Sequence, residues 1–319
     1  MKYFFVINPS AGKGNKIERL KQTVEEICAR RGLESVLYFT TAVGDAERYV
    51  REVCEANRES EETLRIFACG GDGTVNECFN GAYGFANVEL GIIPIGTGND
   101  FVRNFGGSES FFDVEAQLDS NARTIDLIKY NDRYCVNMIN VGFDCEVAAR
   151  TGTLKTHPLI PSKFAYISGL LVEFIKKSGT AFRCRIDGED VGDHKLLLSL
   201  FANGGFCGGG FFAAPEADLY DGFLDFCFIR DIPRLRFLSL IGPYKKGTHL
   251  SLKDRDEIFE YGKCREVELI FDGARRICVD GEIESCERVH MEIEKNAARL
   301  VIPGYGVQKN DRAESAVVS

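Results

Sequence analysis

The sequence predicts an α/β protein in two parts: an N-terminal parallel-sheet α/β domain over residues 1–125 and a C-terminal β-rich sandwich domain over residues 126–297, with a segment near 298–306 completing the first. Three observations carry that prediction. The first ~125 residues alternate short β-rich runs with helically spaced apolar residues, the pattern of βαβ units joined by right-handed crossovers. After Arg123 the pattern changes to strand-like runs separated by turn residues. At 319 residues the chain is too long for one ordinary core.

In order, "YFFVINP" reads as the first strand, and Ile17, Leu20, Val24, Ile27 and Cys28 then recur at helical spacing across Ile17–Arg30. "SVLYFTT" is the second strand, followed by a helix that opens at Gly44-Asp45 and carries Tyr49, Val50, Val53 and Cys54 on one face. "LRIFAC" is the third, with its helix over Thr74–Ala82, and "ELGIIPIG" is the fourth. The second half contributes "TIDLIKYNDRYCVNMINVGF", "AFRCRIDGEDV", "HKLLLSLFAN", "FLDFCFIR", "EVELIFD", "RRICVDGEI" and "VHMEIEK". One helical insertion, Pro161–Lys177, interrupts these strands, and the polar tail 307–319 reads as flexible.

Composition excludes several classes. With 45% hydrophobic and 27% charged residues the chain is neither disordered nor fibrous, and its apolar runs at Tyr166–Ile175 and Phe237–Ile241 are too short to span a bilayer. A net charge of −9 argues against a nucleic-acid partner. The 12 cysteines form no C-x-x-C pair and read as small buried hydrophobes of a cytoplasmic protein, and the four histidines show no ligand spacing. One stretch is locally basic: Arg230 to Arg255 carries seven Lys or Arg against Asp231 and Asp254, interleaved with Leu235, Phe237, Leu238, Leu240 and Ile241. It is the expected face for transient peripheral contact with an anionic membrane, against the alternative of a helix packed on its own sheet.

Three glycine-bearing turns fall at the C-terminal ends of predicted parallel strands, where open α/β sheets bind ligands: "NPSAGKG", "CGGDGTVNE" and "PIGTGNDF". Any one alone could be a plain βα turn. Together they gather backbone N–H groups, small hydroxyls and the carboxylates of Asp72 and Asp100 on one rim. Carboxylates beside phosphates require a hard cation between them, so the set reads as a nucleoside-triphosphate site with a divalent ion. It is not a Walker A loop, because Gly14 follows Lys13 where Ser or Thr is needed, and it lacks the G-x-G-x-x-G spacing. "ICVDGEIE" adds Asp280 and Glu282 at the end of an apolar strand, either a solvated hairpin turn or a source of base catalysis.

These three turns, followed in order by "NVGFD", "ANGGFCGGGF", "APEADLYDGFLD" and "VDGE", resemble the catalytic domain of the diacylglycerol kinase family over about residues 3–306. "GGDGT" alone is also similar to NAD kinases. The resemblance implies the two-domain fold shared by both families, with the site in the cleft between the domains. It implies an ATP- and Mg²⁺-dependent lipid kinase, most readily one converting diacylglycerol to phosphatidic acid, cytoplasmic and peripheral at the membrane, and a homodimer as in relatives. The alternatives are a kinase of another lipid alcohol (a sphingoid base, phosphatidylglycerol or a glycolipid), an NAD kinase-like activity, and a nucleotide- or lipid-binding protein without catalysis. Carried over by residue, Asn8, Pro9, Ser10, Ala11 and Gly12, Thr40, Gly71, Asp72, Gly73, Thr74, Val75, Asn76 and Glu77, and Thr97 would line the ATP site. Asp72 and Asp100 would hold the phosphate-bound Mg²⁺. Asp218, Asp221 and Phe223 would bind a separate structural Mg²⁺, Asp221 through its side chain and its neighbours partly through backbone carbonyls. Asp280 and Glu282 would be the catalytic carboxylates.

Overall fold

Four parallel strands build the N-terminal sheet in the spatial order β4–β3–β1–β2: β1 (Lys2–Ile7), β2 (Ser35–Phe39), β3 (Leu64–Gly70) and β4 (Val88–Pro94). The computed structural model describes residues 1–12, 15–143, 145–147 and 180–306; the predicted helix at Pro161–Lys177, residue Asp144 and the tail 307–319 lie outside them. Every residue of β3 and β4 is buried, as expected of central strands covered on both faces. Helix α1 (Lys16–Arg31) covers one face with Leu20, Val24 and Ile27, joined by α4 (Val114–Asp119). Helices α2 (Asp45–Ala56) and α3 (Asp72–Ala82) cover the other, through Val50, Cys54, Cys78 and Phe79. Helix α3 begins two residues before the predicted Thr74, because the Val75 N–H already bonds the Gly71 carbonyl.

The second half consists of β5 (Ala122–Tyr130), β6 (Arg133–Cys135), β7 (Met138–Gly142), β8 (Thr180–Ile186), β9 (Glu189–Ala202), the short pair β10 (Phe206–Cys207) and β11 (Phe211–Phe212), β12 (Leu224–Arg230), β13 (Phe259–Cys264), β14 (Glu266–Val279) and β15 (Glu282–Val301), with α5 (Arg234–Lys246) and α6 (Arg255–Ile258) between β12 and β13. Strands β9 and β14 are long enough to belong to two layers. At one end both pair with β8, and at the other both pair with β7. The layers close over an apolar core that includes Ile139, Phe182, Phe201, Phe228, Leu269 and Met291.

The two halves are not separate bodies joined by a linker. The expected boundary after residue 125 falls inside β5, which pairs antiparallel with β15 from Ala122↔Val301 to Tyr130↔Met291. The change of pattern at Arg123 marks the start of this shared strand. Strand β15 then joins the first sheet parallel to β4 at Leu300↔Leu90. The buried Glu89 fixes that junction, accepting from Arg65 of β3 at 2.7 Å and from Arg299 of β15 at 2.6 Å. Removing Glu89 would leave the buried Arg65 guanidinium without its counter-charge, at about 3–5 kcal/mol. Among the described residues no helix is long and apolar enough to cross a membrane.

Candidate active site at the strand ends

Strands β1, β3 and β4 are adjacent and parallel, so the turns that follow them emerge at one edge. Close approach there requires glycine. A Cβ on Gly96 would lie 2.5 Å from the Gly71 Cα, and one on Gly98 would lie 2.8 Å from Asp72 Oδ2. In the first turn Asn8 Oδ1 accepts from the Ser10 N–H at 2.9 Å while Asn8 Nδ2 donates to Thr74 Oγ1 at 3.1 Å, tying it to α3.

Asp72 occupies the first turn of α3, its Oδ1 accepting from the Asp100 N–H at 2.8 Å. Its withdrawal from water pushes the Asp72 carboxyl up to about 6, and the neighbouring Asp100 carboxylate adds to the rise. Asp100 accepts from the Gly209 N–H at 2.8 Å through Oδ2 and faces Arg103 Nε at 3.2 Å through Oδ1. Gly208, Gly209 and Gly210, at φ of 58°, 80° and 107°, thus fold over the rim from the second half.

A cavity of about 900 Å³ opens from this rim. Its polar end is lined by Asn8, Ser10, Ala11, Gly71 to Val75, Thr97 and Asp100. Its other end is apolar, walled by Phe143, Leu197, Leu198, Ile229, Phe237, Leu240, Ile241 and Phe259. Asn137, just before β7, and Asn140 of β7 line the middle.

Residues 2–130 match the diacylglycerol kinase catalytic domain and residues 137–302 the YegS C-terminal NAD kinase beta sandwich-like domain. The chain belongs to the diacylglycerol kinase family. It is similar to a diacylglycerol kinase of Bacillus subtilis, 27% identical over 287 residues that cover 87% of this chain and 88% of the relative. A crystal structure of a diacylglycerol kinase from Bacillus anthracis str. Sterne shares the fold at TM-score 0.68, covering 94% of this chain and 96% of its own at 20% identity. The protein is therefore a lipid kinase, with the mixed α/β and β-rich architecture its sequence predicted.

The two expected catalytic carboxylates of this lipid kinase stand in different surroundings. Asp280, at φ 48°, accepts on Oδ1 from the Asn137 and Met138 N–H groups, each at 3.0 Å, and from Cys135 Sγ at 3.1 Å. Its Oδ2 accepts from the Val136 N–H and from Asn76 Nδ2, each at 2.8 Å. Five donors fill the roughly four lone-pair sites of a carboxylate, leaving none for an incoming hydroxyl proton. Asp280 therefore acts as a clasp holding the β6–β7 connection to α3. Glu282 is exposed to the cavity, its Oε1 3.0 Å from where a Cβ on Gly73 would stand, beside Asp72.

Several residues expected at the nucleotide do not line the cavity. Glu77 instead caps α2, its two oxygens accepting from the Gly44 and Ala46 N–H groups at 2.9 and 3.1 Å. Asn76 is buried and spends its amide on Tyr134 O and Asp280. Thr40 is buried with its N–H on Ile7 O, and Pro9 and Gly12 are not among the residues that line the cavity. Asp218, Asp221 and Phe223 lie away from the cavity, where Asp218 Oδ1 accepts from the Tyr220 N–H and Asp221 Oδ1 from the Phe223 N–H. On α5, Phe237, Leu240 and Ile241 face the cavity, leaving Leu235 and Leu238 outside at 83% and 46% exposure.

Proposed function

We propose that this lipid kinase transfers the γ-phosphoryl group of ATP to the hydroxyl of diacylglycerol, giving phosphatidic acid. One observation carries the reading: a single cavity joins a glycine- and carboxylate-lined rim at three strand ends to an apolar arm in the second half. The rim suits a polyphosphate and the arm suits acyl chains. The Bacillus subtilis relative's name supports diacylglycerol as acceptor.

Asp72 and Asp100 fit a divalent ion carried by the nucleotide, because burial beside Asp100 raises the proton affinity of the Asp72 carboxyl and a charged Asp72 needs a compensating cation. Bound Mg²⁺ would neutralise charge on the phosphates. The backbone at the start of α3 and the Gly96–Gly98 turn would hold the phosphate oxygens, with Thr74 and Thr97 supplying hydroxyls. The lipid oxygen forms the new P–O bond as the bond between the γ-phosphorus and the ADP oxygen breaks, and the hydroxyl proton passes to Glu282. Asp280 positions this turn and does not touch the proton.

Lipid would enter from a membrane met by the outer face of α5, where Leu235 and Leu238 stand among Arg234, Lys245 and Lys246. Incubating the kinase with radiolabelled ATP and a total lipid extract tests the whole reading. Label in phosphatidic acid is expected. Label confined to another lipid alcohol would displace diacylglycerol, and label only in a soluble acceptor would displace the acyl role of the apolar arm.

A further inference from the structure

We infer that Lys263 is the resident cation of the Glu216–Asp225 turn and that this lipid kinase holds no divalent ion there. The family resemblance implies a structural Mg²⁺ on Asp218, Asp221 and Phe223, and the residues present do not fit it. Lys263 Nζ lies 2.6 Å from Asp221 Oδ2, 3.0 Å from the Glu216 carbonyl and 3.3 Å from Asp225 Oδ2. An ammonium has three donors, and here three acceptors surround it.

The other side-chain contacts close the site. Asp221 Oδ1 accepts from the Phe223 N–H at 2.9 Å, and Asp218 Oδ1 from the Tyr220 N–H at 3.1 Å. Asp221 turns its other oxygen, Oδ2, to the Lys263 ammonium. Asp225 is fully buried and takes the Tyr261 hydroxyl at 2.7 Å on Oδ1, so Lys263 also compensates a charge that water cannot reach. Strand pairing fixes the arrangement, since β12 and β13 set Asp225 directly opposite Lys263. A second lysine guards the turn: a Cβ on Gly222 would lie 1.9 Å from Lys295 Cε, and Lys295 Nζ stands 5.8 Å from the centre of the Phe223 ring. A dication would have to enter beside two ammonium groups and shed tightly held water to do so.

The inference concerns folding stability and is tested without nucleotide or lipid, so its failure is distinguishable from failure of the kinase reading. Melting temperatures of the full chain and of Asp72→Asn are measured in EDTA and in millimolar MgCl₂, the variant removing any contribution from the nucleotide rim. No difference is expected in Asp72→Asn, and Lys263→Met is expected to melt several degrees lower in both buffers. A fall on chelation that persists in Asp72→Asn overturns the inference, as does an unchanged melting temperature for Lys263→Met. Should Lys263→Met fail to fold, Mn²⁺ titration of the unmodified chain decides: Mn²⁺ binding that Asp221→Asn abolishes and Asp72→Asn spares overturns it, and absence of such binding supports it.

Discussion

The strand-end rim and the Glu216–Asp225 turn present the same problem and solve it differently. Each brings two aspartates together beside a glycine-bearing turn: Asp72 with Asp100 from the ends of β3 and β4, and Asp221 with Asp225 at the start of β12. In the turn, a lysine on the neighbouring strand supplies the opposing charge. At the rim, among the described residues, Arg103 pairs with Asp100 and no ion pair reaches Asp72, which keeps a raised proton affinity. Two neighbouring aspartates therefore do not by themselves announce a metal. What matters is whether the chain provides the counter-charge or leaves it to a ligand.

The largest expected effect tests the uncompensated pair. Asp72→Ala should reduce phosphoryl transfer on the order of 10³-fold or more and weaken Mg·ATP binding. Its melting temperature in the absence of nucleotide should equal or exceed that of the parent, because removing a buried charge and its repulsion from Asp100 outweighs losing the Asp100 and Phe101 N–H bonds it accepts. A marked loss of stability would mean that Asp72, like Asp221, is already compensated within the chain, and the contrast would collapse.

Asp280 and Glu282 sharpen the contrast next. Glu282→Gln should lower kcat by roughly 10²–10⁴-fold with KM for lipid and the melting temperature nearly unchanged. Asp280→Asn places an amide group among five donors, each such buried mismatch costing about 1–3 kcal/mol, so it should melt many degrees lower. Thermal melts beside kinetics on residual folded protein separate the two. Equal stability with equal loss of kcat in both variants would restore Asp280 to direct chemistry.

These two carboxylates also show what the sequence could and could not reveal. The three strand-end turns were legible because strand, glycine and helix start are all local, and parallel order brings their ends together. The clasp was not. Asn76 meets Asp280 across 204 residues, and nothing around Asn76 signals that its amide is spent there. Glu77 caps a helix that begins 32 residues earlier, so its motif was read as part of the nucleotide site. The shared strand β5 was divided because Arg123 marks a change of pattern, while its partner β15 lies at the far end of the chain. For α5, composition showed a basic, apolar helix, and only packing assigned Phe237, Leu240 and Ile241 inward and Leu235 and Leu238 outward.

That division yields a more modest prediction. Leu235→Glu with Leu238→Glu should weaken sedimentation with anionic phosphatidylglycerol vesicles and raise KM for vesicle-borne lipid several-fold, while sparing the rate on a short-chain soluble analogue. Equal losses on both substrates would show that the outer face supports the cavity wall, as the inner face does.

At neutral pH the smallest effect concerns a buried polar group without an internal counter-charge. His249 is fully buried behind the apolar arm, its ring 4.9 Å from that of Tyr244 and 5.1 Å from that of Phe259, and neither ring nitrogen makes a well-formed hydrogen bond among the described residues. Burial pushes its pKa down from 6.5 to about 4, against a weaker opposing pull from the Pro243 carbonyl. The imidazole is thus neutral in the fold at pH 7, whereas the unfolded chain protonates it below about 6.5. Stability contributed by neutral His249 is complete above that value and falls as pH drops toward 4, at up to about 1.4 kcal/mol per pH unit. His249→Phe keeps an aromatic ring between Tyr244 and Phe259 and removes the titration, so its denaturant midpoint should fall less steeply than the parent's between pH 6.5 and pH 4. Parallel pH profiles for parent and variant would mean that His249 finds a proton acceptor in the fold, which would move it into the company of Asp221.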